Sequence, residues 1–120
     1  MKLSIVLLLL SGAMLACSAC SHSFAGSPAA ERSVPDAMRQ YGCPACHVIP
    51  GVPGARGQVG PSLAGVGQRS YLAGTLPNTP DTFESWIMHP QHLRPGTAMP
   101  EMGVTPVDAR RIMEFLERGR

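Results

Sequence analysis

The chain opens on a positive start, Met1-Lys2, joined to an apolar run from Leu3 to Leu15 that has no amphipathic period. Residues 18–33 are rich in Ser, Ala and Gly, a composition that predicts a flexible tether. The first helical signal follows at Ser33-Val34-Pro35-Asp36: a serine to cap, a proline suited to the first turn, and an acid that complements the helix dipole. Ala37, Met38 and Tyr41 continue at helical spacing, and Gly42 ends the run. From Val48 to Gly67 glycine and proline recur so often that loop is predicted. Arg69 to Ala73 is read as a short helix. Asp81 to Met88 is a clearer one, with Phe83, Trp86 and Ile87 apolar and Pro90 as its stop. Thr105-Pro106-Val107-Asp108 starts the best-formed helix. Its Val107, Ile112, Phe115 and Leu116 make an apolar stripe, with Arg110, Arg111, Glu114 and Arg118 outside it. No strand pattern, hairpin turn or internal repeat appears. The pattern predicts an all-α domain of short helices around long loops.

Composition adds that such a domain needs help to stay folded. The 120 residues suffice for one domain, but charged residues make up 15% and aromatics 5%, while Gly (13) and Pro (12) are plentiful. Little apolar area is then left to offset the entropy of ordering the chain, so a disulfide, a metal or a large cofactor is expected as a staple. Charge narrows the partners. The formal net charge is +2, and without residues 1–25 nine arginines against eight acids leave +1. Nucleic acid calls for a clustered basic face and is excluded on this ground. A strongly basic docking ring is excluded with it, which leaves a mixed-charge surface for any protein partner.

At about 13 residues, the Leu3–Leu15 run suits a signal-peptide core and is short for a membrane span. Export is therefore expected, with residues 1–25 as leader. Two processing routes are open. Ser23-Phe24-Ala25 places small residues where an ordinary signal peptidase cuts, after Ala25. Ala13-Met14-Leu15-Ala16-Cys17 resembles a bacterial lipoprotein box, with Met14 where Leu is usual; cleavage before Cys17 would give a lipidated N-terminus and a membrane anchor without a spanning helix. A Cys17–Cys20 disulfide is the plainer alternative for the two early cysteines. The globular domain is placed at 34–120.

The strongest chemical signal is Cys43-Pro44-Ala45-Cys46-His47, the Cys-x-x-Cys-His spacing of c-type haem attachment. Two thiols three positions apart at a helix terminus can reach the two vinyl groups of one haem. The imidazole of His47 then lies under the iron as an axial ligand. One covalent haem c would supply the staple that the composition asks for. Three other chemistries use similar residues. A thioredoxin-like pair needs a βαβ setting that is absent, a structural zinc site needs a second ligand pair that does not follow, and a disulfide across two residues would be strained.

A haem with His47 below needs a ligand above. Met38 and Met113 sit at helical core positions, and Met88 ends the Trp86 helix. Met99 lies in the irregular stretch Arg94-Pro95-Gly96-Thr97-Ala98-Met99-Pro100, where a thioether is free of helical constraint; the plainer reading is a surface hydrophobe. His89 and His92, beside prolines, are read as solvated.

In order along the chain, Cys43 to His47, Gly60-Pro61-Ser62-Leu63, Arg69, Trp86, Met99-Pro100 and a C-terminal helix resemble the class I cytochrome c family over nearly the whole mature chain. The resemblance implies a cytochrome c fold wrapped around one haem, with His47 and Met99 as the axial pair and Met102 as the nearest rival. It also implies that the Pro61 carbonyl accepts the second ring N–H of His47, and that Arg69 and the Trp86 indole N–H hold a haem propionate. Tyr71 and Asn78 are weaker candidates for that work. Arg69 to Pro80 and Trp86 to Gln91 look like the cytochrome c domain fused to subunit II of some bacterial haem–copper oxidases.

The function so implied is a monomeric, mono-haem electron carrier, in the periplasm or held to its membrane face. Its partners would be redox proteins such as a respiratory oxidase or dehydrogenase. With both axial positions filled, no enzyme activity is expected. A dedicated electron-entry subunit of an oxidase or dehydrogenase complex is the first alternative, and a haem sensor or peroxidase-like protein the second.

Overall fold

The computed structural model describes residues 32–119. The leader, Cys17, Cys20, both cleavage positions and most of the tether lie outside the described residues.

Helix α1, Val34–Gln40, begins where Ser33 caps it: the Ser33 hydroxyl accepts the Asp36 N–H at 3.3 Å. Asp36 in turn accepts from Arg39 at 2.8 Å. Its carboxyl is held below the ordinary aspartate value, chiefly by the Ser33 hydroxyl and then by the charge and hydrogen bond of Arg39. Gly42, at φ +78°, turns the chain into α2, Cys43–Cys46, a single turn. The loop that follows is anchored by buried Ile49, Val52 and Ala55, with Val48 bridged to Arg56.

A 3-10 turn, Val66–Gln68, leads into two short antiparallel strands, β1 (Tyr71–Leu72) and β2 (Leu76–Pro77), with Leu72 opposite Leu76. The short helix expected over Arg69–Ala73 is replaced by this hairpin, which the all-α pattern did not include. Its tip is Ala73-Gly74, both at positive φ (+46° and +84°), the geometry of a tight primed turn. Alanine is an unusual choice there, at a cost of about 1–2 kcal/mol. Arg94 braces the tip by donating to the Ala73 carbonyl. No Asn-Gly or Asp-Gly pair marks the turn, and the tertiary brace is invisible in local sequence.

Helix α3, Pro80–Met88, is capped by Thr79, and Pro90 ends it only to open another turn, α4, Pro90–Leu93. Helix α5, Pro106–Arg118, is capped by Thr105 and packs across α3, α1 and the 3-10 turn. It buries Asp108, Ala109, Ile112, Met113 and Leu116. Each large apolar side chain so buried contributes roughly 1.5–3 kcal/mol. Met38, Phe83, Ile87, Val66, Leu72 and Val104 complete the core.

The inward face of α5 differs from the expected stripe. Val107 is exposed, and Asp108 is fully buried. The carboxylate is drawn inward by its partners: Arg32 at 2.7 Å, the Tyr41 hydroxyl at 2.8 Å and Arg111 at 3.5 Å. Arg111 also donates to the Arg32 carbonyl. Arg32 and Ser33, counted with the tether in the sequence reading, are thereby docked onto the folded domain. No helix among the described residues is long and apolar enough to cross a membrane.

Candidate functional site

The Cys43-Pro44-Ala45-Cys46 turn ends at His47, whose N–H donates to the Cys43 carbonyl at 3.1 Å before the backbone straightens (φ −120°, ψ 145°). Both thiols are unbridged and half-buried, and Cys43 packs against the core. Burial pushes the Cys43 thiol above its ordinary value, and the neighbouring Cys46 adds to that direction. A thioredoxin-like nucleophile needs the opposite shift. Among the described residues no group of three or more His, Cys, Asp or Glu side chains is placed to hold a metal ion, which removes support for structural zinc.

The histidine ring is held from two sides. Its Nδ1 lies 2.7 Å from the Pro61 carbonyl oxygen. A carbonyl can only accept, so Nδ1 carries the proton of this bond, and in the neutral ring the lone pair is then on Nε2. The face of the ring lies against Gly60: a Cβ there would fall 2.3 Å from Cε1 and 2.7 Å from Nδ1 of His47. Gly60 also donates its N–H to the Cys46 carbonyl at 2.7 Å. At Gly57 an added Cβ would meet the Ala45 carbonyl at 2.5 Å, so the loop backbone lies directly on the cysteine turn. Together Gly57, Gly60 and Pro61 form a cradle that accepts one orientation of His47.

Arg69 stands behind this cradle. Its Nη2 donates to the Ser62 carbonyl at 2.7 Å and to the Ala64 carbonyl at 3.1 Å. The Asn78 amide fixes the other side, donating to the Arg69 carbonyl at 2.8 Å and the Val66 carbonyl at 3.0 Å. In this conformation the Arg69 guanidinium braces the loop that carries Pro61. Tyr71 is exposed on β1. Trp86, on α3, is half-buried against the core, and no hydrogen bond among the described residues uses its indole N–H.

Met99 sits on a separate loop, after α4. The loop is tied down by one side chain that sequence reasoning missed. The Gln91 amide donates to the Thr97 carbonyl at 2.6 Å and the Met99 carbonyl at 2.9 Å, and its oxygen accepts the Gly96 N–H at 3.3 Å. The Gln91 backbone N–H reaches Glu101 at 3.2 Å. Met102 and Met88 pack on the core, whereas Met99 is half-buried without joining it. The Met99 thioether is therefore the more available of the two loop sulfurs. His89 is exposed, 3.6 Å from Glu101, and His92 is exposed as well.

The donor set fits a covalently held haem. It offers two free thiols on one helical turn, an imidazole with Nε2 uncommitted, and a half-buried thioether. A guanidinium and an indole N–H complete the polar groups. Cys43 and Cys46 could make the thioether links and His47 could ligate the iron, with Met99 as the second donor.

Over 63 residues the chain is 38% identical to the cytochrome c oxidase subunit 2 of Alkalihalophilus pseudofirmus, a stretch that covers 52% of this chain and 18% of that protein. The likeness thus reaches less than a fifth of the curated relative. No family model matches the chain, and no solved structure matches it.

Proposed function

We propose that this chain is a mainly helical, mono-haem c-type cytochrome, with the cytochrome c fold, that carries single electrons outside the cytoplasm. One observation carries the reading. Directly after two unbridged cysteines, His47 gives its Nδ1–H to the Pro61 carbonyl at 2.7 Å over the bare α-carbon of Gly60, which leaves Nε2 as a fixed donor.

When bound, the haem supplies a one-electron couple between ferric and ferrous iron. The polypeptide does the rest. Cys43 and Cys46 hold the cofactor covalently, and the Pro61 carbonyl keeps the His47 ring from rotating. Met99 supplies a thioether, which favours the ferrous state and raises the potential. Half-buried Leu63, Leu76, Trp86 and Met102, packed against the core, are apolar side chains that could help shield a bound haem from water. Arg69 and the Trp86 indole are the donors nearest in kind to what a propionate needs. With His47 and Met99 both available as donors to the iron, a bound haem would have no open position for substrate, and the protein would act as a carrier and not as an enzyme.

The likeness to an oxidase subunit supports electron transfer in a respiratory oxidase setting. We place the protein as a monomer in the periplasm or at the outer face of the membrane, free or anchored through lipidated Cys17. The same likeness favours a dedicated electron-entry partner of an oxidase as the second reading.

Three measurements on protein matured in a host able to attach haem test the carrier reading. The wild type should carry one haem that survives denaturation, and Cys43→Ser should leave one thioether and a poorly folded product. Ferrous wild type should bind carbon monoxide slowly at neutral pH, and Met99→Ala quickly. Rapid binding by the wild type would move the protein to the sensor or peroxidase class.

A further inference from the structure

The loop that carries Met99 has little regular structure of its own. Thr97 donates to the Arg94 carbonyl at 3.1 Å, and the Met99 N–H reaches the Thr97 hydroxyl at only 3.5 Å. Between Ala98 and Val104 no backbone-to-backbone hydrogen bond is found among the described residues. The Gln91 amide bonds Gly96, Thr97 and Met99 instead, and its backbone N–H donates to the Glu101 carboxylate, so that two of these four bonds reach into that stretch. Two of the three amide bonds are donated to main-chain carbonyls, one of them that of Met99 itself. Gln91 stands on α4, whose first residue, Pro90, is buried, so the amide is presented from a fixed base.

We infer that Gln91 is the positioning residue for Met99: its amide fixes the loop so that the thioether is presented to the metal without a search. This rests on the haem reading above. A ligand on an untethered loop dissociates more often, and any small ligand that must displace it then binds more tightly, by the population of the open state. The chemistry demands an amide. A carboxylate of the same shape cannot donate to two carbonyls, and would set its charge against them.

The test compares ferric wild type, Gln91→Glu and Met99→Ala, each haem-loaded, by imidazole titration and by the near-infrared charge-transfer band of a methionine–iron bond. Gln91→Glu should bind imidazole about tenfold more tightly than wild type, which corresponds to the loss of one or two net hydrogen bonds. Its methionine band should weaken, while the haem stays covalently attached. Ile112→Val loosens the core at a residue that takes no part in the Gln91 hydrogen bonds. It should leave imidazole affinity within about twofold. If Gln91→Glu does not mature, Gln91→Leu, of similar size and without donors, carries the same expectation. Should the Gln91 variant match wild type while Met99→Ala behaves as an open site, the positioning role is overturned and the haem reading stands. If Met99→Ala also retains the band, the axial assignment to Met99 has failed first.

Discussion

Around His47 the chain is held by close approach of backbone, Gly60 to the ring and Gly57 to the cysteine turn, with no room at either for a methyl group. Around Met99 it is held by the hydrogen bonds of a single amide on a loop with little backbone pairing of its own. The first arrangement is steric and has one solution. The second is polar and can open by exchanging its bonds with water, each worth only about 0.5–1.5 kcal/mol net. On the proposed haem reading, a site built this way would keep its histidine and give up its methionine first. That asymmetry suits covalent attachment on one side and a redox-sensitive bond on the other.

The asymmetry can be broken most severely from the histidine side. Gly60→Ala drives a Cβ to 2.3 Å from the ring, so the ring or the loop must move. Overpacking of this kind costs about 1–3 kcal/mol or more. Little haem-loaded protein should be recovered, as judged by haem staining after denaturing electrophoresis. Normal yield with unchanged His47 ligation would show that the cradle is softer than its contacts imply.

A large effect that should leave the asymmetry intact is expected at Asp108. Asp108→Ala strips the buried partner from Arg32, Arg111 and Tyr41, and removing one member of a buried ion pair costs about 3–5 kcal/mol. Chemical denaturation should report that loss, while the axial ligands of the folded fraction stay as in wild type. A changed methionine band in folded Asp108→Ala would mean that the two regions communicate through α5.

Arg69→Gln sharpens the histidine side more gently. The loop carrying Pro61 loses the guanidinium that bonds Ser62 and Ala64. Stability should fall by only about 0.5–1.5 kcal/mol, since these exposed carbonyls can be solvated once the guanidinium is gone, with His47 retained in the spectrum. The smallest expected effect lies at the cap of α1. Asp36 has a depressed folded value, so its contribution to stability is present above the ordinary aspartate range and fades as pH falls through the folded value. Asp36→Asn should therefore flatten a shallow acid limb of the denaturation profile and change nothing at neutral pH beyond the lost cap contacts.

Much of the framework could be read from local chemistry. Ser33 and Thr105 each cap the helix that follows, as their positions predict, and the cysteine turn lies where its spacing puts it; the Thr79 cap, which starts α3 at Pro80, was not named from the sequence. These are short-range effects, written within four residues. What escaped the reading depends on residues far apart in the chain. The Ala73-Gly74 turn needs Arg94, and the inward turn of Asp108 needs Arg32 and Tyr41. Gly60 stood in a stretch chosen by resemblance, but its contact with the His47 ring required the fold of the loop. Gln91 entered the sequence analysis only as the end of a stretch chosen by resemblance. A glutamine a few residues before a Pro-Gly loop that carries Met99 is the signal that could have found it.

The central claim is that Cys43 and Cys46 together hold one haem. The most direct measurement is the intact mass of the denatured protein, matured in a host that attaches haem and purified without reductant. The expected mass is that of the processed polypeptide plus one haem, unchanged by acid–acetone extraction and by thiol reductants. A mass equal to the bare polypeptide, or to one two hydrogens lighter with a Cys43–Cys46 disulfide, would contradict it.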